Sequence, residues 1–488
     1  KYLWIKIMAY SSITKPTDHF NTVLYTGTGS STNVTGVGFD PDWVWIKCRS
    51  DGTTDNVLFD KVRGAGQRLV SNTNGAEETQ TGIMSAFVTD GVTVGTGGAS
   101  NGSSRTYAMW NWLAGGSTPS ITYSVKVVSD GGNKYRFDDY GTSAVTLDLQ
   151  EGGTYTFDGS DSSMASHPIK LSETSNGTHG GGSSYNTGVT YQLDGSSVTE
   201  SAYVSGYSSA SSRKLIITVA ASAPTLYYYC HYHSGMGGQI NTNSTSGSSN
   251  FAGATQSTVS VNSTAGFSII NWAGSSSASV QTIGHGLGTT PHWILSKNRG
   301  SGSSITAWIN YHHKIDASAP EDYTVYLNNT DARVDNTVFG DTAPTSTVFS
   351  FNTGTDDQNY ISYCFTEKKG YSKFGSYTGN GQASGGGPFI YLGFKPAFFL
   401  LKESSNADNW IILDDKRQGH NGRNDMLFPN LSNAEYASDR VELMSNGVKI
   451  IDNDGSINTN DATYIYMAFA ENPFVANDSG TAVPVTAR

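Results

Sequence analysis

Apolar residues in this chain come in short runs of roughly four to eight, and in many runs they alternate with polar residues at every second position. That is the period of a strand with one face packed and one face wet. Gly, Asn, Asp and Ser fill the intervals, as tight turns require. The run Pro41-Asp-Trp-Val-Trp-Ile-Lys47 is apolar on both faces, which predicts a strand buried on both sides. Pro41 stands at its start, where a strand tolerates proline. No heptads occur, and no apolar stretch is long enough for a membrane helix. The pattern predicts an all-β chain with many short strands.

The same pattern returns twice. Gly38-Phe-Asp-Pro-Asp-Trp-Val-Trp-Ile-Lys47 is matched by Gly286-Leu-Gly-Thr-Thr-Pro-His-Trp-Ile-Leu-Ser-Lys297 and by Gly393-Phe-Lys-Pro-Ala-Phe-Phe-Leu-Leu-Lys402. An aromatic-glycine strand precedes each, at Phe20–Gly27, Phe267–Gly274 and Phe374–Gly379. An aromatic strand closes each, at Tyr107–Trp110, Tyr360–Tyr363 and Tyr464–Met467. A leucine-asparagine turn recurs at Leu69–Asn72, Leu327–Asn329 and Leu431–Asn433. Four landmarks in one order predict three tandem jelly-roll or β-sandwich domains of one topology, each of roughly 100 residues. Low-complexity edges, Gly115–Pro119 and Asn241–Ser249, bracket a block without the landmarks. The expected layout is an N-terminal arm (1–19), repeat 1 (20–115), an inserted domain (116–253), repeat 2 (254–367), repeat 3 (368–474) and a C-terminal tail (475–488).

Composition narrows the function classes. Charged residues are only 15%, the net charge is −11, and no Lys/Arg cluster makes a phosphate footprint, which speaks against nucleic acid. Three cysteines, Cys48, Cys230 and Cys364, are too few for a disulfide framework. Residues Lys1–Met8 carry no export signal, and Met8 reads as an initiator, with residues 1–7 unexplained.

The chemistry concentrates in the insert. Strand-like runs (Tyr123–Val128, Lys134–Phe137, Thr146–Leu149, Thr154–Phe157) lead to Ser166-His-Pro168, and a late run ends in Leu226-Tyr-Tyr-Tyr-Cys-His-Tyr-His-Ser-Gly-Met236. A thiolate, two imidazoles and a weak thioether are the donor set of a type 1 copper site. Over about residues 124–240 the block resembles the cupredoxin family of copper-binding β-sandwiches. That resemblance implies copper held by His167, Cys230, His233 and axial Met236, from one early histidine and one Cys-x-x-His-x-x-Met loop. His231 competes with His233, but its place on the strand end points it the other way. His179, in a glycine-rich loop, is expected to be exposed.

Elsewhere no enzyme motif occurs. Asp356-Asp357 and Asp414-Asp415 are adjacent, so on a strand they face opposite sides and make poor acid–base partners. Asp452–Asn458 reads as a hairpin turn rather than a calcium loop. His285, His292, His312 and His313 read as core or surface histidines, and Trp43, Trp45, Trp293 and Trp410 as largely core.

The repeats, the opening Tyr10–Gly27, the linker Gly370–Gly379 and the ending Ala470–Phe474 through Arg488 resemble structural proteins of marine tailed bacteriophages. The resemblance covers about 8–115 and 255–488 and implies no catalytic residue. It implies a non-enzymatic virion-surface protein, a tail fibre or capsid-attached fibre or knob, made in the host bacterial cytoplasm. Its expected partners are other virion proteins and a host cell-surface glycan or protein, without membrane insertion, as a homo-oligomer with a trimer favoured. The alternatives are a capsid decoration that binds no receptor and a copper redox protein of the cupredoxin type.

Overall fold

A computed structural model describes residues 11, 13–115, 118–277, 279–301, 305–417 and 424–473, with the backbone of 475–478 and 481–484. The reading of Lys1–Met8 lies outside the described residues. The chain is all-β and forms two compact units, one of residues 1–114, 261–281 and 286–488, the other of 115–260 and 282–285. The second unit takes in the whole of the expected insert, 116–253, together with 115, 254–260 and 282–285. No helix among the described residues is long and apolar enough to cross a membrane. The expected tail contains an antiparallel pair, Val475–Asp478 with Thr481–Pro484.

The first unit holds the three repeats, and their main sheets share one antiparallel strand order. In repeat 1 it runs Phe20–Thr26, Thr106–Trp112, Trp43–Cys48, Val57–Asp60 and Gln67–Val70. In repeat 2 it runs Phe267–Ala273, Asn359–Phe365, Trp293–Asn298, Trp308–His312 and Tyr323–Tyr326. In repeat 3 it runs Ser372–Thr378, Thr463–Pro473, Phe394–Glu403 and Ile411–Asp414. Repeats 1 and 3 add a small second sheet: Thr32–Thr35, Gly91–Val94 and Met84–Val88 in one, Phe389–Tyr391, Gly447–Ile450 and Val441–Met444 in the other.

The two-faced apolar strand explains how these sheets pack. Val44, Ile46 and Cys48 face the small sheet of their own repeat, against Val34, Val92 and Val94. Trp43 and Trp45 face the other way, into a core shared with Trp293, Leu295 and Trp308 of repeat 2 and Phe398, Leu400 and Trp410 of repeat 3. Seven of the nine tryptophans lie in that one core. Full burial of each large apolar side chain contributes about 1.5–3 kcal/mol, so this shared cluster dominates the cohesion of the unit.

Polar contacts follow a cyclic rule. Trp308 Nε1 of repeat 2 donates to Val70 O of repeat 1 (2.8 Å), Trp410 Nε1 of repeat 3 to Tyr326 O of repeat 2 (2.9 Å), and Asn56 Nδ2 of repeat 1 to Phe428 O of repeat 3 (3.1 Å). The buried lysines ending the signature strands repeat it: Lys47 reaches Ser432 O (2.8 Å), Lys297 reaches Asn74 O (3.3 Å) and Lys402 reaches Thr330 O (3.2 Å). Each repeat thus grips the next in a closed ring of three.

The second unit is a two-sheet sandwich. One sheet orders Asn133–Phe137, Ser120–Ser129, Thr154–Asp158, Arg213–Thr218, Val189–Leu193 and Ser196–Val198. The other orders Leu147–Gln150, Gly238–Asn243, Leu226–Cys230 and Ile169–Ser172. Both contain one parallel pairing among antiparallel ones. Their inward residues, among them Tyr123, Tyr155, Phe157, Leu171, Tyr228 and Ile240, form one core.

Candidate metal centre

Strand register brings the early histidine to the late cysteine. Ile169–Ser172 pairs antiparallel with Tyr227–Cys230, and Ile169 lies opposite Cys230. His167, two residues before Ile169, therefore falls beside the chain as it leaves Cys230. A short turn ahead of it, Ser162–Met164, is capped by Asp161, and His167 N donates to Met164 O (2.8 Å). Two further bonds fix the pair: His231 N to Pro168 O (2.9 Å) and Tyr135 Oη to His167 O (3.0 Å).

The loop after Cys230 turns back on itself. Gly235 adopts φ +71°, and its N–H donates to Asn176 Oδ1 (2.7 Å). Tyr135 N donates to Met236 O (3.0 Å). The consequence is that Cys230 Sγ lies 3.8 Å from His167 Nδ1 and 3.5 Å from His233 Nδ1, and one ligand atom of each of the three residues lies within 4.8 Å of the others. His167 and Cys230 are buried, whereas His233 is exposed. Met236 is buried in the same core as Cys230.

These separations suit a metal ion. A sulfur at about 2.3 Å and a nitrogen at about 2.0 Å from one ion, at tetrahedral to trigonal angles, stand roughly 3.6 Å apart. Burial, reinforced by neighbouring His233, holds the His167 pKa below its ordinary value, so the imidazole is neutral at pH 7, as ligation requires. Two imidazoles and one thiolate would suit a soft transition metal.

The competing histidines fall elsewhere. His231 has its Nδ1 buried without a hydrogen-bond partner and does not join the cluster. His179 is exposed, with Nε2 3.1 Å from Cys230 O. Nearby, buried Lys170 pairs with Glu200. Burial would raise the Glu200 pKa, but hydrogen bonds from Lys170, Ser184 and Asn186 outweigh it and bring it down to about 2. Asn176 and Tyr135, which position the loop, were not singled out by sequence, because an asparagine after a serine and a strand tyrosine carry no signal of their own.

One member of each adjacent carboxylate pair is tied into the fold by side-chain hydrogen bonds. Asp414 accepts from Arg417 Nε (2.6 Å) and Trp110 Nε1 (3.0 Å). Asp356 accepts from Asn298 and Tyr360. His312 is buried at a seam between repeats, with Nε2 3.3 Å from Tyr466 O.

No curated protein and no solved structure matches the chain. A family model does match, over residues 15–132 and 241–473. The match takes in all three repeats and leaves out 133–240, which hold His167, Cys230, His233 and Met236. By that match the chain belongs to the family described as a domain of unknown function (DUF7483).

Proposed function

We propose that this chain is a non-enzymatic virion-surface protein of a tailed bacteriophage: a three-repeat scaffold whose inserted sandwich binds one copper ion through His167, Cys230 and His233, with Met236 as the weak fourth ligand. The convergence of the three donor atoms within 4.8 Å carries the metal part. Bound copper would supply one-electron chemistry or a structural staple. Loading the chain with copper(II) is expected to give a thiolate-to-copper charge-transfer band, absent in Cys230→Ser. A folded chain that takes up no copper would overturn this part.

The closed ring of three repeats supports the display role. It gives a single chain the rigid, tightly cored platform that surface proteins need, with a network of seam contacts and no disulfide among the described residues. Attachment to a host-surface glycan or protein is the proposed task, exercised through many copies at modest affinity each. Purified protein is expected to compete with phage for adsorption to host cells. Absence of competition at saturating protein, with the chain still found on the particle by immunogold labelling, would leave only the capsid-decoration reading.

A further inference from the structure

We infer that a cleft between repeats 2 and 3 binds acidic sugars of the uronic-acid class. The cleft has a volume of about 390 Å³; its lining includes Lys314 and Glu367 from repeat 2 and Lys373, Ser376, Phe389 and Tyr391 from repeat 3. That volume is within the usual range for small-ligand sites.

Phe389 and Tyr391 form one wall. Strand alternation turns both outward, while Ile390 between them is buried in the repeat's own core. They are 45% and 52% exposed, among the few large apolar side chains left in solvent. Lys373 Nζ donates to Tyr391 O (2.7 Å) and lies 5.4 Å from the centre of the Tyr391 ring. Exposed Lys314 and Glu367 line the same cleft.

Repeat 1 serves as an internal control. Thr35 pairs with Gly91 as Tyr391 pairs with Gly447, which makes Asn33 the equivalent of Phe389 and Thr35 that of Tyr391. By the pairing of the opening and closing strands, Asn21 is the equivalent of Lys373 and Val23 that of Gly375. The fold therefore needs neither the two aromatics nor the lysine. Gly375, where repeat 1 has valine, lets the Tyr466 side chain lie against the backbone at the cleft, which a Cβ there would strike.

The ligand class follows from the wall and the charges. Flat exposed rings offer apolar faces to the C–H face of a pyranose, and Ser376 and Glu367 offer partners to its hydroxyls. Two lysines against one glutamate make the cleft locally positive on a chain of net charge −11, which selects a carboxylate. As a receptor site, the cleft rests on the attachment reading above.

Titration of the purified full chain with oligogalacturonate, followed by calorimetry, tests the inference, with neutral cello-oligosaccharide and a polyglutamate peptide alongside. Oligogalacturonate is expected to bind, more weakly at high salt, and to lose about tenfold or more in affinity in Phe389→Asn/Tyr391→Thr, which installs the repeat 1 residues. The denaturant midpoint of that variant should be close to wild type, showing that the unit bearing the cleft is folded. No binding, equal binding of the neutral sugar, tighter binding of the peptide, or binding indifferent to the variant would each overturn the inference. Cleft-dependent sugar binding without phage competition would instead overturn the attachment role alone.

Discussion

His312 occupies the position that Asp60 holds one repeat earlier: each lies directly opposite the tryptophan that opens its signature strand, Trp293 with His312 and Trp43 with Asp60. In repeat 3 Asp414 stands opposite Phe398. The two aspartates are each held by an arginine three residues on, Arg63 Nε at 2.5 Å and Arg417 Nε at 2.6 Å. A glutamate completes each seam, Glu77 bound by Arg299 of repeat 2 and Glu435 by Arg49 of repeat 1. Repeat 2 has Ile315 in the arginine's place, and Arg333 N meets Ser404 O where Glu77 N meets Arg299 O. Two seams are therefore ionic, and the third is built on histidine.

Removing Arg63 should be costly. It is fully buried with Asp60, and breaking such a pair leaves an uncompensated charge. Arg63→Met is expected to destabilise by about 3–5 kcal/mol in chemical denaturation. The double variant Asp60→His/Arg63→Ile imports the repeat 2 solution and should cost less than Arg63→Met alone. Additive costs of the two changes would contradict the equivalence of Asp60 and His312.

The histidine seam predicts acid sensitivity. Burial, together with neighbouring histidines and Lys314, pushes His312 well below its ordinary pKa; burial brings His313 down to about 4 and lowers His292. An unfolded histidine takes its proton near 6.5. Between pH 6.5 and 4 the unfolded chain thus binds more protons, so stability falls as pH falls through this window. His313→Asn should flatten the slope of unfolding free energy against pH over pH 4–6.5. An unchanged slope would remove the seam as its source.

The alternation in Pro41–Lys47 was enough to foresee a strand buried on both faces, and Trp43/Trp45 and Val44/Ile46 divide between two cores accordingly. That one of these cores unites three repeats was not legible, since Trp308 and Trp410 donate to backbone carbonyls, which every residue carries. The recurring turn needed correction. Its structural asparagines are Asn72, Asn328 and Asn430, whose side chains accept from the backbone N–H of Asn56, Trp308 and Trp410; Leu431–Asn433 lies just beyond. The expected hairpin turn at Asp452–Asn458 contains a short helix, Gly455–Asn458, capped by Asp454; the short helix Gly98–Asn101 of repeat 1 follows Gly97 and has no side-chain cap. In both, the last asparagine ties two loops together, a long-range role invisible in local sequence. For the metal centre, loop spacing pointed to Cys230 and His233, while the place of His167 depended on register.

The small sheets should be intolerant of side chains at Gly91 and Gly447. A Cβ at Gly91 would collide with Val34 O, and one at Gly447 with Ile390 O, the equivalent carbonyl of repeat 3. Gly91 also has φ +156°. Gly91→Ala and Gly447→Ala are each expected to lower stability by about 2–4 kcal/mol, measured by denaturant midpoint at constant m-value. A cost below 1 kcal/mol at either would show that its strands can shift apart freely.

The metal should stabilise the insert in a ligand-specific way. An ion that binds only the folded form adds about 2.7 kcal/mol at 100 times its dissociation constant. Copper is therefore expected to raise the unfolding temperature of the wild-type chain and of His231→Ala, since His231 stands outside the cluster. His233→Ala should fold as well as wild type, because His233 is exposed, yet lose most of the copper-dependent rise. Affinity should drop as pH falls toward protonation of His167, which occurs below its ordinary pKa because burial and His233 disfavour the cation. If His231→Ala abolished the rise and His233→Ala did not, the loop would present the other imidazole and the ligand assignment would fail.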